Sequence, residues 1–135
     1  MAQATQTGST VTGTLSEVRD ELIVLVLPGS DYRLHLAAAN PPGTAGKRIS
    51  GRIFARAKRV DVIRSGGRYI EPLFGRPRRV QGRIIETDPA ANTITVQAAC
   101  AVTCELTMNQ TASQFKPGQM VSFDVERGAR FEPMT

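Results

Sequence analysis

The sequence predicts an all-β protein made of two tandem, internally duplicated, barrel-like units, and three observations predict it. Thr, Val, Ile and Gly dominate in short runs broken by turn residues about every ten positions, the spacing of small strands and hairpins. Aromatic residues make up 5% of the chain and Trp is absent, so Val, Ile, Leu and Ala must do most of the packing. The third observation is a repeat. Val11-x-Gly13-x-Leu15-x-Glu17 recurs as Val80-x-Gly82-x-Ile84-x-Glu86, and Gly46-x-x-Ile49-x-x-x-Ile53 recurs as Gly118-x-x-Val121-x-x-x-Val125. Two long copies of one pattern suggest duplication of a closed unit rather than a solenoid.

The elements follow in order. Residues 1–9 have the composition of a disordered tail. The first unit spans 10–64. Thr10–Arg19 reads as a strand ended by Arg19-Asp20-Glu21, and Leu22–Leu27 as a second, stopped by Pro28-Gly29-Ser30. Asp31–Ala37 alternates, with Tyr32, Leu34 and Leu36 on one face and Arg33 and His35 on the other. After the loop Asn40-Pro41-Pro42-Gly43, the stretch Arg48–Arg64 is too long for one regular strand. Its apolar phase is odd at Ile49, Ile53, Ala55 and Ala57 and even at Val60 and Val62, a slip near Lys58-Arg59 that a β-bulge would produce. A helical period through Ile49, Ile53, Ala57 and Val60 also fits, but Gly51 and the β-branched content favour strand.

Residues 65–79, SGGRYIEPLFGRPRR, mix Gly and Pro with Tyr69, Ile70, Leu73 and Phe74, so an ordered strap packing on the barrels or on a partner is expected. The second unit, 80–135, reads as strands at Val80–Thr87, Thr93–Ala98, Val102–Met108 and Met120–Glu126, with turns at Asp88-Pro89 and Pro117-Gly118. A gap-free alignment of Leu34–Ile53 with Leu106–Val125 sets Leu34 and Leu36 against Leu106 and Met108. Gly13 and Gly82 fall mid-strand, where Gly marks a tight barrel bend.

Charge is distributed unevenly. The net charge is +5, yet residues 47–83 hold twelve of the 17 Lys and Arg against only Asp61 and Glu71, and both flanks are mildly acidic. Arg48, Arg52, Arg56 and Lys58 share parity and would form one basic face on a strand; Arg59, Arg76, Arg78 and Arg79 extend the set. Such a stripe binds phosphates by releasing counterions, and Arg suits bidentate phosphate contacts. The expected partner is RNA or single-stranded DNA, bound by charge with low specificity. A second reading is a homo-oligomer, the basic middle of one chain meeting acidic ends of another and Tyr69, Ile70, Leu73 and Phe74 forming an interaction strap. A third is a solvated face whose Arg stems cover a thin core.

The segment PGQMVSFDVERGA, Pro117–Ala129, resembles the last strands of cold-shock domains, nucleic-acid-binding barrels of the OB-fold class with a similar Gly-Gln-x-Val-Ser-Phe stretch. It covers about a tenth of the chain and implies OB-like units. Cold-shock domains read single strands with exposed aromatics on two central strands, whereas Thr93–Met108 has no aromatic residue and the first unit offers only Tyr32. The stacking that contributes roughly 1–3 kcal/mol per base is missing there, so binding would rest on charge. Small tandem oxyanion-binding barrels are a looser similarity.

No catalytic motif stands out. His35 is the sole imidazole, on the face opposite the apolar one, and no Gly-x-Ser-x-Gly, Walker or His-Glu-x-x-His pattern occurs. Cys100 and Cys104, if on one strand, lie about 13 Å apart on the same side, too far for a disulfide, and read as small buried residues. One His and two Cys make a weak metal set. The expectation is a non-catalytic protein without metal or cofactor. No apolar run approaches the ~20 residues that cross a bilayer, and the first ten residues lack the features of a secretory signal, so a cytoplasmic location is expected.

Overall fold

In the computed structural model, residues 9–39 and 43–134 are described. All but Ser9 of the expected tail, and Asn40-Pro41-Pro42 of the expected loop, lie outside them. More than half of the described residues are in strands, with a single 3-10 turn at Ala112–Gln114 and no α-helix. The strands are β1 (Val11–Arg19), β2 (Leu22–Val26), β3 (Arg33–Ala37), β4 (Arg48–Arg56), β5 (Asp61–Ile63), β6 (Tyr69–Glu71), β7 (Phe74–Gly75), β8 (Arg79–Asp88), β9 (Thr93–Gln97), β10 (Ala101–Glu105), β11 (Met120–Asp124) and β12 (Arg130–Pro133).

Five of them close a barrel in the order β1-β2-β3-β12-β4, with β4 returning to β1. Closure removes the unpaired edges that an open sheet of this size would expose. The sheet continues from the far end of β4, where β10 joins in parallel, through β9, β8 and β11 to β5. This second run bends back to the β4 chain. Ala57 bridges Val125, Lys58 N–H donates to Asp124 O at 2.8 Å, and Glu126 N–H donates to Arg56 O at 2.9 Å. β6 pairs with β8 and β7 with β3. One contiguous apolar core runs beneath both, from Leu15, Leu25 and Leu34 to Ile84, Val96 and Phe123.

Turn chemistry sets the early strands. β1 stops at Arg19 and β2 starts at Leu22, as the polar Asp20-Glu21 pair predicts, and β3 buries Leu34 and Leu36 while Arg33 points out. The β1–β2 pair carries a bulge between Leu15 and Glu17, and the β8–β9 pair carries one between Ile84 and Glu86. Val11 opposes Gly51 in one ladder and Val80 opposes Phe123 in the other. These registers agree with the repeated motifs. The alignment through Leu106 and Met108 does not hold. β10 ends at Glu105, so Val102 and Cys104 occupy the ladder positions opposite Val96 and Ile94 that Leu34 and Leu36 occupy opposite Leu25 and Ile23. The extra residues sit in the loop holding the 3-10 turn.

Two other expectations are corrected. Arg48–Arg64 is neither one bulged strand nor a helix. The chain leaves the sheet after Ala57, because the Gln110 side chain binds both backbone groups of Val60, accepting at 2.8 Å and donating at 2.9 Å. It then re-enters as β5 alongside β11. Moreover, the barrel is not closed by its own segment of chain. Residues 130–133 of the expected second unit insert as β12, pairing with β4 from Arg130–Phe54 to Pro133–Gly51.

Candidate nucleic-acid interface

The strand end of β4, the strap before β8 and the turn after β11 meet around one open groove of about 600 Å³. Backbone hydrogen bonds fix its walls. Arg78 N–H donates to Glu71 O at 2.8 Å, and Val125 N–H donates to Arg78 O at 3.0 Å. Lys58, Arg76, Arg78, Arg79 and Arg127 line it, with Glu71, Asp124 and Glu126 as its acidic members. Arg79 is committed, donating to Asp124 Oδ1 at 2.8 Å and Ser122 Oγ at 2.7 Å; the Asp124 hydrogen bond, then one to Tyr69, raises its pKa further. Glu126 is engaged by Arg56 at 3.4 Å. Lys58, Arg76, Arg78 and Arg127 take part in no ion pair among the described residues. The groove thus holds four uncommitted cations against one uncommitted carboxylate, Glu71.

The predicted basic residues therefore divide. Lys58, Arg76, Arg78 and Arg79 come together in the groove, and Arg56 borders it through Glu126. Arg52 lies further along β4, on the outward row that alternates with buried Ile53 and Ala55. Its guanidinium stands 5.0 Å from the centre of the Phe54 ring, and Arg130 of β12 covers that ring at 4.7 Å. Arg48 shares the outward parity but opposes Thr14, about 26 Å from Arg56 along the strand, and stands apart from the groove. Arg59 lies outside the groove too, paired with Asp61 at 3.3 Å.

The strap residues divide as well. Ile70 is buried in the core, and Tyr69 is half-buried, its Oη donating to Gln81 Oε1 at 3.0 Å. Leu73 and Phe74 are exposed, Phe74 by 64%. Its ring sits 5.5 Å from the His35 ring and 5.8 Å from the Arg33 guanidinium. Sequence reasoning missed Arg127 and Arg130, which lie in a segment that is acidic on balance, and the Arg33–His35–Phe74 cluster, which joins residues far apart in the chain.

Both thiols are buried and free. Burial alone pushes Cys100 up to about 12 and Cys104 higher still. Among the described residues no three His, Cys, Asp or Glu side chains come together as a metal site, and no helix is long and apolar enough to cross a membrane. Comparison with protein-family models, curated proteins and solved structures gives no match to this chain.

Proposed function

We propose that this is a non-catalytic binding protein that holds the phosphate backbone of RNA or single-stranded DNA in the groove, with little sequence preference. The observation that carries the reading is the convergence on one groove of Lys58, Arg76, Arg78 and Arg127, free of ion-pair partners among the described residues, with the groove walls at Lys58, Arg78 and Val125 held by backbone hydrogen bonds. Lys58 and Arg78 start from backbone held by hydrogen bonds, so binding a phosphate costs side-chain freedom but no loop ordering there, and Arg52, further along β4, extends the track. The same reading takes the two hairpin-bearing strand sets as copies of one unit, supported by their matching registers and bulges. The test is titration of labelled oligonucleotides at low and moderate salt. Binding is expected at low salt, and joint reversal of Arg76, Arg78 and Arg127 to Glu should abolish it. No binding at low salt, or binding indifferent to the reversal, rejects the proposal.

Self-association is the second reading. β5 ends the sheet path and exposes Val62 by 52%, an edge another chain could meet. The charge-driven form of this reading is weakened, because Arg56 and Arg79 of the basic middle already pair with Glu126 and Asp124 inside the chain. Light scattering across salt concentrations separates the readings: a monomer of 14.6 kDa at every salt rejects assembly.

A further inference from the structure

A pair of adjacent apolar side chains is held outward beside an arginine where β7 meets β3. Phe74 is 64% exposed and Leu73 beside it 52%. Neither is on a loose loop. β7 pairs in parallel with β3, Arg33 opposite Phe74 and Leu34 opposite Gly75, and Arg33 N–H donates to Leu73 O at 2.8 Å. The ring is flanked at 5.5 Å by His35 and at 5.8 Å by Arg33. Phe54, by contrast, is half-buried and has two guanidiniums over its ring, Arg52 at 5.0 Å and Arg130 at 4.7 Å. Phe74 has the Arg33 guanidinium over its ring and the tilted His35 ring beside it, with most of its surface open to solvent. Two residues on, Arg76 lines the groove, at most about 7.6 Å away between Cα atoms.

We infer that Phe74, steadied by Arg33 and His35, is a stacking platform for an unpaired nucleobase of a strand whose phosphates lie against Arg76 and Arg78. The inference rests on the nucleic-acid reading of the groove and adds to it that the ligand's bases, not only its backbone, are held. An aromatic face accepts any base, so the platform adds affinity without sequence choice. Nearby Arg adds attraction to the stacked base and to its phosphate. The patch sets two exposed apolar side chains beside Arg33 and close along the chain to Arg76, which favours a flat base on an anionic strand over an apolar protein surface.

The test compares oligo-dT with an abasic deoxyribose-phosphate oligomer of equal length, which keeps the charges and lacks the bases. The wild-type protein should bind oligo-dT about tenfold or more tightly than the abasic strand. Phe74→Ala should bring oligo-dT to the abasic level while leaving abasic binding and the far-UV circular dichroism spectrum unchanged. The chain has no Trp, so Phe74→Trp installs a single indole, whose emission should be quenched by oligo-dT and not by the abasic strand. Equal wild-type affinity for the two strands, or oligo-dT binding unchanged in Phe74→Ala, overturns the platform; the groove reading then stands if both strands are lost on reversing Arg76, Arg78 and Arg127. Failure of both strands to bind the wild type overturns the groove and the platform together. A change of particle mass on a sizing column caused by Phe74→Ala assigns the patch to protein contact and also overturns the inference.

Discussion

At Gly82 the neighbouring strand comes so close that a side chain has nowhere to go. A Cβ there would overlap Gln97 O and stand 2.8 Å from the Gln97 carbonyl carbon and 2.9 Å from Ala98 Cα. These are backbone atoms of a paired strand and cannot swing aside, so Gly82→Ala is expected to lower stability by about 1–3 kcal/mol. A fall in the urea midpoint with an unchanged slope would check it. The cysteines make a second prediction at this scale. Both thiols are buried with pKa raised above the ordinary value of 9.0, so the folded protein favours the protonated form. Stability is therefore full below about pH 9 and lost as pH climbs toward 12, because the unfolded chain gives up these protons first. Urea midpoints measured from neutral to alkaline pH should show this decline, weakened when both residues are replaced by Ala or Val. A disulfide reagent at about pH 8 should label neither thiol until the protein unfolds.

At the level of the element, β12 is decisive. It fills the gap between β3 and β4, and its Phe131, 2% exposed, enters the core. Phe131→Ala should cost roughly 3–5 kcal/mol. Residues 10–64 expressed alone should not fold, since their barrel would lack its fifth strand; a well-dispersed proton NMR spectrum of that fragment would overturn the expectation. Sequence reasoning placed β1, β2, β8 and β9 within a residue or two, because polar turns bracket alternating apolar runs. It missed β12, whose Arg-Phe-Glu-Pro run has a single inward apolar residue and too little pattern to detect. The break between β4 and β5 was legible as a phase slip, but its cause lies in Gln110, fifty residues on.

Across the whole molecule, charge is the property with functional reach. Four groove cations free of ion pairs imply a salt dependence of modest steepness, since each neutralised phosphate of a single strand contributes a slope of about −0.7. Replacing Arg76, Arg78 and Arg127 together by Gln, which removes three cations without adding opposing charge, should flatten the plot of affinity against salt by roughly two units. Reversing Arg59, already paired with Asp61 away from the groove, should change it little. Of this groove, Lys58, Arg76, Arg78 and Arg79 were visible as a basic run. Arg48 and Arg59 belonged to the same run and point elsewhere, because clustering along the chain says nothing of which way a turn or a strand end directs a side chain.

By itself, the sequence determined the all-β class, most strand boundaries, the paired glycine-bearing motifs and the concentration of cations in its middle. All of these follow from local rules: alternation, turn preferences and the counting of charges. Only the tertiary structure decided that residues 130–133 close the barrel begun at Val11, that Arg127 joins the groove, and that Arg33, His35 and Phe74 share one patch. Those outcomes depend on pairings between distant strands. Such a pairing is chosen by the packing and backbone hydrogen bonds of both partners at once, and no single stretch of the chain encodes it.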